Sequence, residues 1–274
     1  PLVLSHSCAD IFADDTTLST NNNSLDVVIT SLTNDLEHVD KWCQLNHIYI
    51  NSDQSNVMFI SSRQNRQLLQ PNSVIKSCST AKLPCVTVNN SLSLNNHIAT
   101  VIQKMNTYLY VLSRNQLYLS TDTRKRFYNA YILPHFDFCC DIWGNCTHYL
   151  KDKLVRLQKR AARVILDCDV YTPSSTMFFL ILNGCHFRER VIYMKAIQMF
   201  ITIRGDAPEY LRSSFTFASD MLQDVTFIVL FTVDTPKPHL EIYRNTFVCS
   251  GSSVWNSLPS YIYNSNSGHH FKAQ

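Results

Sequence analysis

An α+β fold is what this 274-residue sequence predicts, and three observations carry that expectation. Near the start, short apolar runs flank polar turns with one helical stripe between them, in the order β-hairpin, helix, β-hairpin. Through the middle, apolar residues recur at three- and four-residue steps, the period of amphipathic helices, so the rest is mostly α-helical. Apolar residues make up 45% of the chain, enough to fill a core at this length.

The first hairpin is read over Ala9–Ala13 and Thr16–Ser19, with Asp14 and Asp15 as its turn. Paired carboxylates suit a tight turn, and β-branched Thr suits the return strand. Leu25, Val28, Ile29, Leu32, Leu36, Val39 and Trp42 then form one apolar stripe, which predicts a helix of about five turns. Ile48–Ile50 and Val57–Ile60, separated by the polar Asn51–Asn56, are read as a second hairpin. From Ser61 to about Asn96 the text is rich in Gln, Asn and Ser, carries Pro71 and Pro84, and holds only a weak strand at Val86–Val88.

Helical periodicity follows. Ile98, Val101, Ile102, Met105, Leu109 and Leu112 share one stripe, and a segment from Thr121 to Leu133 is interrupted by Pro134. Leu150, Leu154, Leu157, Ala161 and Ile165 lie on the apolar side of a third helix, and a fourth runs from about Phe187 to Arg204, stopped by Gly205 and Pro208. Beyond Phe215 no period is legible, and the His269-His270 pair is given no role. Trp42 and Trp143 are read as core residues, and His97 as flanking a helix.

Charge is unevenly placed. Lys104 to Arg163 holds eleven Lys or Arg against four Asp or Glu, so this segment carries +7 while the whole chain carries +3. Such a region suits a surface that follows a phosphate backbone, or else a solvated helix face. Ten cysteines contain no C-x-x-C pair, which reads as reduced thiols of an intracellular protein, nuclear or cytoplasmic and not secreted. His135, Cys139, Cys140 and Cys146 could hold zinc or pack as a half-buried helix with free thiols. The longest apolar run, Phe227–Val233, is far shorter than the roughly 20 residues of a membrane-spanning helix, so no membrane partner is expected. No basic stretch with a following apolar run marks a leader, and a chain starting within a longer protein is the expectation.

Two carboxylates at a hairpin tip are what two-metal phosphoryl transfer uses, because hard Mg²⁺ ions need oxygen ligands on rigid elements. Asp14 and Asp15 are therefore the candidate metal ligands and catalytic residues, with an ordinary solvated turn as the other reading.

Phe12-Ala13-Asp14-Asp15-Thr16 resembles the aromatic-Ala-Asp-Asp-Thr signature of reverse transcriptases. Leu32-Thr33-Asn34-Asp35-Leu36 leading to Trp42, and then Asn51 to Phe59, are similar to the helix and hairpin that follow this turn in Jockey-like non-LTR retrotransposons. Arg124 to Ala130, Ile132 to Cys139, Trp143-Gly144, Leu157 to Arg163, Ala207 to Leu211 and Trp255 to Pro259 resemble the thumb and C-terminal region of that family, in the same order. The resemblance implies a partial reverse-transcriptase palm over 1–70 and a helical thumb-like region over 97–205; the polar stretch over 71–96 between them is read from its composition as a linker or frayed sheet, and 206–274, where no period is legible, as a poorly ordered tail. It also implies an RNA-directed DNA polymerase acting by two-metal nucleotidyl transfer, with Mg²⁺ at Asp14 and Asp15 and an RNA template and DNA primer as partners. Lys151, Lys153, Arg156, Lys159, Arg160 and Arg163 would grip the nucleic-acid backbone.

Three departures predict a chain that is inactive alone. The family's fingers, most of its palm and a further metal-binding Asp precede the turn and are not in this sequence. Gln54 in Asp53-Gln54-Ser55 stands where a lysine near the triphosphate is usual, which removes a charge partner for the leaving pyrophosphate. The Val88–His97 stretch is short and lacks a Leu-Gly element. Other expectations are a nucleic-acid-binding module without catalysis, or a relic without function.

Overall fold

The computed structural model describes residues 4–61, 76–168, 171–173, 186–217, 233–259, 262 and 271. Most of the Phe227–Val233 run, the stretch from 62 to 75, and His269-His270 lie outside them. The described residues are mixed α and β, with helices dominant. They fall into two compact units, one comprising Pro1–Pro84 and Asn89–Ser91, the other Cys85–Val88 and Leu92–Gln274.

In the first unit, β1 (Cys8–Phe12) and β2 (Asp15–Ser19) form an antiparallel hairpin with Phe12 opposite Asp15. The turn is therefore Ala13-Asp14 rather than Asp14-Asp15, and Ala13 takes the positive φ of 54° that two-residue hairpins need at their first loop position. Asp15 opens the return strand instead. Helix α1 (Leu25–Leu45) forms where its stripe predicts. Its half-buried and buried side, Val28, Leu32, Asp35, Leu36, Val39 and Cys43, follows the three- and four-residue step. Leu25, Ile29 and Trp42, read as part of the same stripe, are exposed.

The expected second hairpin is absent from the described residues. Ile48–Ile50 adopts no strand, and β3 (Asn56–Val57) pairs in parallel with β4 (Lys76–Ser77). The polar stretch closes on itself, with the Gln54 and Ser55 amides donating to the Asn51 carbonyl, so it does not return the chain alongside Ile48–Ile50. A third ribbon, β5 (Thr80–Lys82) with β6 (Thr87–Asn89), spans the stretch where the sequence passes from one unit to the other. Structure is therefore present in 76–96, the part of the expected linker that is described.

The second unit is built on α2 (Asn95–Arg114), α3 (Thr121–Phe127), α4 (Leu133–Asp137), α5 (Cys140–Trp143), α6 (His148–Leu166) and α7 (Phe187–Arg204). Ser120 caps α3 by accepting from the Thr123 amide at 3.2 Å. Between α3 and α4 the helix widens into a π turn, Tyr128–Ile132. Pro134 has no N–H to donate and its ring crowds the preceding turn, so widening that turn lets the chain stay helical past it to Asp137. The interruption expected at Pro134 is thus a change of pitch. Helix α7 starts with a capping box at His186 and Glu189 and ends at Gly205, whose φ of 81° suits the left-handed stop.

Ile98, Met105, Leu109, Ile132, Phe136, Trp143, Leu154, Ala161, Ile165 and Phe187 pack into one core. Trp143 stacks on Phe187 with ring centroids 5.3 Å apart. Buried polar groups tie the helices: Gln158 Oε1 on α6 accepts from the Phe187 amide that opens α7 at 2.9 Å. Arg124 on α3 donates to the Val164 carbonyl at 3.1 Å, serving a free acceptor in the last turn of α6.

A second core joins α7 to the C-terminal region through Met199, Phe200, Phe215, Phe217, Val233 and Trp255. Three further helices are α8 (Glu209–Arg212), α9 (Glu241–Arg244) and α10 (Phe247–Asn256). Asn256 exchanges two hydrogen bonds with the Val233 backbone, at 3.2 and 2.7 Å. In the described part of the region from 206 onward, Phe215, Phe217, Val233, Cys249 and Trp255 are buried. No described helix is long and apolar enough to cross a membrane.

Candidate functional site

Asp14 and Asp15 project from the tip of the β1–β2 hairpin, and both are exposed. Adjacent carboxylates on one turn supply only part of the near-octahedral oxygen shell that Mg²⁺ demands. Among the described residues no group of three or more His, Cys, Asp or Glu is placed to hold a metal ion. The described residues therefore do not fit a two-metal cage.

Among the described residues of this unit the buried carboxylate is Asp35 on α1, and its geometry is that of a clamp. Its oxygens accept from the Ser5 and His6 amides at 2.9 and 3.1 Å, which fixes the segment leading into β1. The Ser5 amide is the main cause that holds the Asp35 carboxyl down at about 2, against the opposing effect of burial.

Among the described residues His135, Cys139, Cys140 and Cys146 do not come together as a group that could hold a metal ion. Burial is the main cause that pushes the Cys139 and Cys140 thiols up to about 12, as expected of cysteines packed as small apolar groups. His135 stacks on Tyr108 at 5.6 Å, and Cys140 lies in the core. His97, read as flanking a helix, is buried: its Nδ1 accepts from the Thr87 amide at 3.3 Å. Burial first, and the Lys104 charge second, lower its pKa, so it stays neutral.

The six cations of α6 are divided by the helix. Lys153, Arg156 and Arg160 are exposed and fall at steps of three and four residues, continuing a line that begins at the exposed Tyr149. Lys153 Nζ sits 4.4 Å from the Tyr149 ring centroid, and Arg160 reaches Asn106 on α2 at 3.3 Å. Lys151, Lys159 and Arg163 are half-buried. Among the described residues none of the six makes an ion pair, whereas Asp152 on the same helix is taken by Arg188 at 2.8 Å and His148 at 3.0 Å. The exposed face of α6 is thus a row of cations with an aromatic ring at one end.

Beside Lys151 the second unit holds a cavity of about 560 Å³, lined among others by Asn145, Arg188, Lys195, Arg244 and Ser250. Sequence reading assigned these residues nothing. The signal that could have found them is Lys195 itself, which interrupts the apolar four-residue series Phe187, Val191, Met199 on α7.

Compared with family models, curated proteins and solved structures, the chain has no significant match.

Proposed function

We propose that this chain is the C-terminal part of an RNA-directed DNA polymerase of a non-LTR retrotransposon, without polymerase activity of its own, and that it binds nucleic acid without regard to sequence. The ordered motifs from Phe12 to Pro259 support the origin. The observation that carries the binding activity is the exposed line Tyr149, Lys153, Arg156 and Arg160 on α6, which no carboxylate among the described residues neutralises. Cations in a row track phosphates, and a ring beside them offers a face on which a base stacks. On this reading Asp14 and Asp15 stand at the catalytic turn, and the described residues offer no third ligand with which to cage Mg²⁺. The same reading accounts for the exposed apolar residues of α1, which in an intact palm would meet the rest of its sheet.

The test is binding of a labelled single-stranded oligonucleotide across a salt series. Replacing Lys153, Arg156 and Arg160 together by Gln should weaken binding and flatten the plot of log affinity against log salt by about 2, since each phosphate contact on a single strand contributes roughly 0.7. Unchanged affinity and slope in that triple variant would remove the α6 interface. Extension of a primer on an RNA template by the purified chain would contradict the inactivity.

A further inference from the structure

Lys195 is buried in a way that ordinary packing does not explain. It lies on α7 one turn from Val191 and one from Met199, and its side chain is 2% exposed. Nζ donates to Asn145 Oδ1 at 2.5 Å and to Ser250 Oγ at 3.0 Å, both neutral acceptors. Among the described residues it makes no ion pair. An ammonium withdrawn from water needs a counter-charge to offset its desolvation, and two neutral oxygens do not supply one. Burial first, and the like charge of Lys151 second, lower its pKa to about 8, while Asp141 acts more weakly in the other direction. At neutral pH the group is still mostly cationic.

The cavity beside it is built to the same sign. Its volume of about 560 Å³ lies within the roughly 300–1,000 Å³ of small-molecule sites. Lys151, Arg188, Lys195 and Arg244 line it, with His148 and Ser253, and among the described residues no Asp or Glu does. Arg188 and Arg244 are held by Asp152 at 2.8 Å and Glu241 at 3.2 Å, carboxylates that are not part of the lining. Lys151 and Lys195 have no such partner among the described residues. The supporting shell is itself ordered: Asn145 Nδ2 donates to the Asn245 carbonyl at 2.8 Å, and Ser250 Oγ donates to the Thr246 carbonyl at 2.8 Å. Those bonds fix the two oxygens that aim Lys195.

We propose that this cavity is a binding site for a phosphate group, with Lys195 and Lys151 as its charge partners and Arg188 and Arg244 at its edge. A phosphate there gives the buried ammonium a directly bonded counter-charge, which Asp141, acting weakly and without an ion pair, does not, and short charge-assisted hydrogen bonds are the strong kind. Both a phosphodiester of a nucleic acid and a free phosphate carry this chemistry. The inference does not depend on the α6 interface, because Lys153, Arg156 and Arg160 do not line the cavity.

The experiment uses the full chain and inorganic phosphate, with chloride at equal ionic strength as the reference. Phosphate ten-fold above its dissociation constant should raise the thermal midpoint by roughly 3–6 °C for a chain of this size. The rise should vanish in Lys195→Met and shrink in Lys151→Gln, the second variant deciding the matter if the first does not fold. No rise beyond chloride, or an equal rise in Lys151→Gln, overturns the site. Oligothymidylate binding then separates the sources: weaker binding in Lys151→Gln identifies a backbone phosphate, and unchanged binding with a lost phosphate response identifies a free one. The Lys153, Arg156 and Arg160 triple variant should keep the phosphate response whether or not it loses oligonucleotide binding.

Discussion

Trp42 and Trp143 are the same residue in two settings. Trp42, near the end of α1 in the first unit, is 38% exposed, while Trp143, on α5 in the second, is fully buried, stacks on Phe187 and donates its indole N–H to the Phe138 carbonyl at 2.7 Å. The helices that surround them repeat the contrast. Helix α1 buries only Asp35 and Cys43, whereas α6, of similar length, buries Leu150, Leu154, Leu157, Gln158, Ala161, Ala162 and Ile165. Both carry a clear apolar stripe, so the stripe decides that a helix forms and the company it keeps decides whether the stripe is covered. Two-stranded ribbons are too small to cover a 21-residue helix, and they are the sheets found among the described residues of the first unit.

The strongest way to break this comparison is at Trp143. Trp143→Ala removes a fully buried ring and leaves the Phe138 carbonyl without its donor, so it should lower the stability of the second unit by about 3–5 kcal/mol. Urea unfolding followed by hydrogen exchange of the α2 and α6 amides is the check. A loss below about 1 kcal/mol would mean that the ring is not held in a close-packed core.

A smaller, pH-dependent effect should mark the first unit, where the Asp35 carboxylate is fully buried. The folded pKa of Asp35 is depressed to about 2 from an ordinary 3.8, so its contribution is present above the ordinary value and is lost as pH falls through the folded one. The Ser5 and His6 amides should therefore gain exchange rate between about pH 4 and pH 2, beyond the intrinsic pH dependence of exchange. In Asp35→Asn those two amides should be less protected at neutral pH and show no such transition. Equal protection in the two proteins at neutral pH would show that the clamp does not hold the lead-in to β1.

How much of this the sequence disclosed follows the same divide. Helices α2 and α6 were legible because each buries its stripe and the period-3.6 signal is a signal of burial, whereas α7 was legible by its stop at Gly205 and Pro208. The first hairpin was legible but one residue out of register at the turn, since paired aspartates mark a turn without saying which of them faces the partner strand. The second hairpin was misread. Period-2 runs as short as Ile48–Ile50 name no partner, and Asn51–Ser55 satisfies its own backbone. The six cations were found as a group, but only the fold separates the exposed Lys153, Arg156 and Arg160 from Lys151, which turns toward Lys195 and the cavity. Lys195 was missed because a lysine within an apolar series reads as an imperfection of the stripe. Its meaning came from Asn145 and Ser250, which stand about fifty residues away on either side in sequence and within hydrogen-bond reach in space.

The smallest expected effect sharpens the comparison from the other end. Trp42→Ser takes away as large a side chain as Trp143→Ala does, but from a site where more than a third of it is already in water and no hydrogen bond of the indole is at stake among the described residues. Helix propensity changes little between Trp and Ser, so the loss should stay near or below about 1 kcal/mol, read as the protection of the α1 amides rather than as global unfolding. A loss approaching that of Trp143→Ala would place Trp42 in a covered core and refute the contrast between the units. A small loss, together with lower self-association of the variant, would instead tie the exposed apolar side of α1 to the behaviour of the whole chain, because an uncovered stripe of this kind favours association in water.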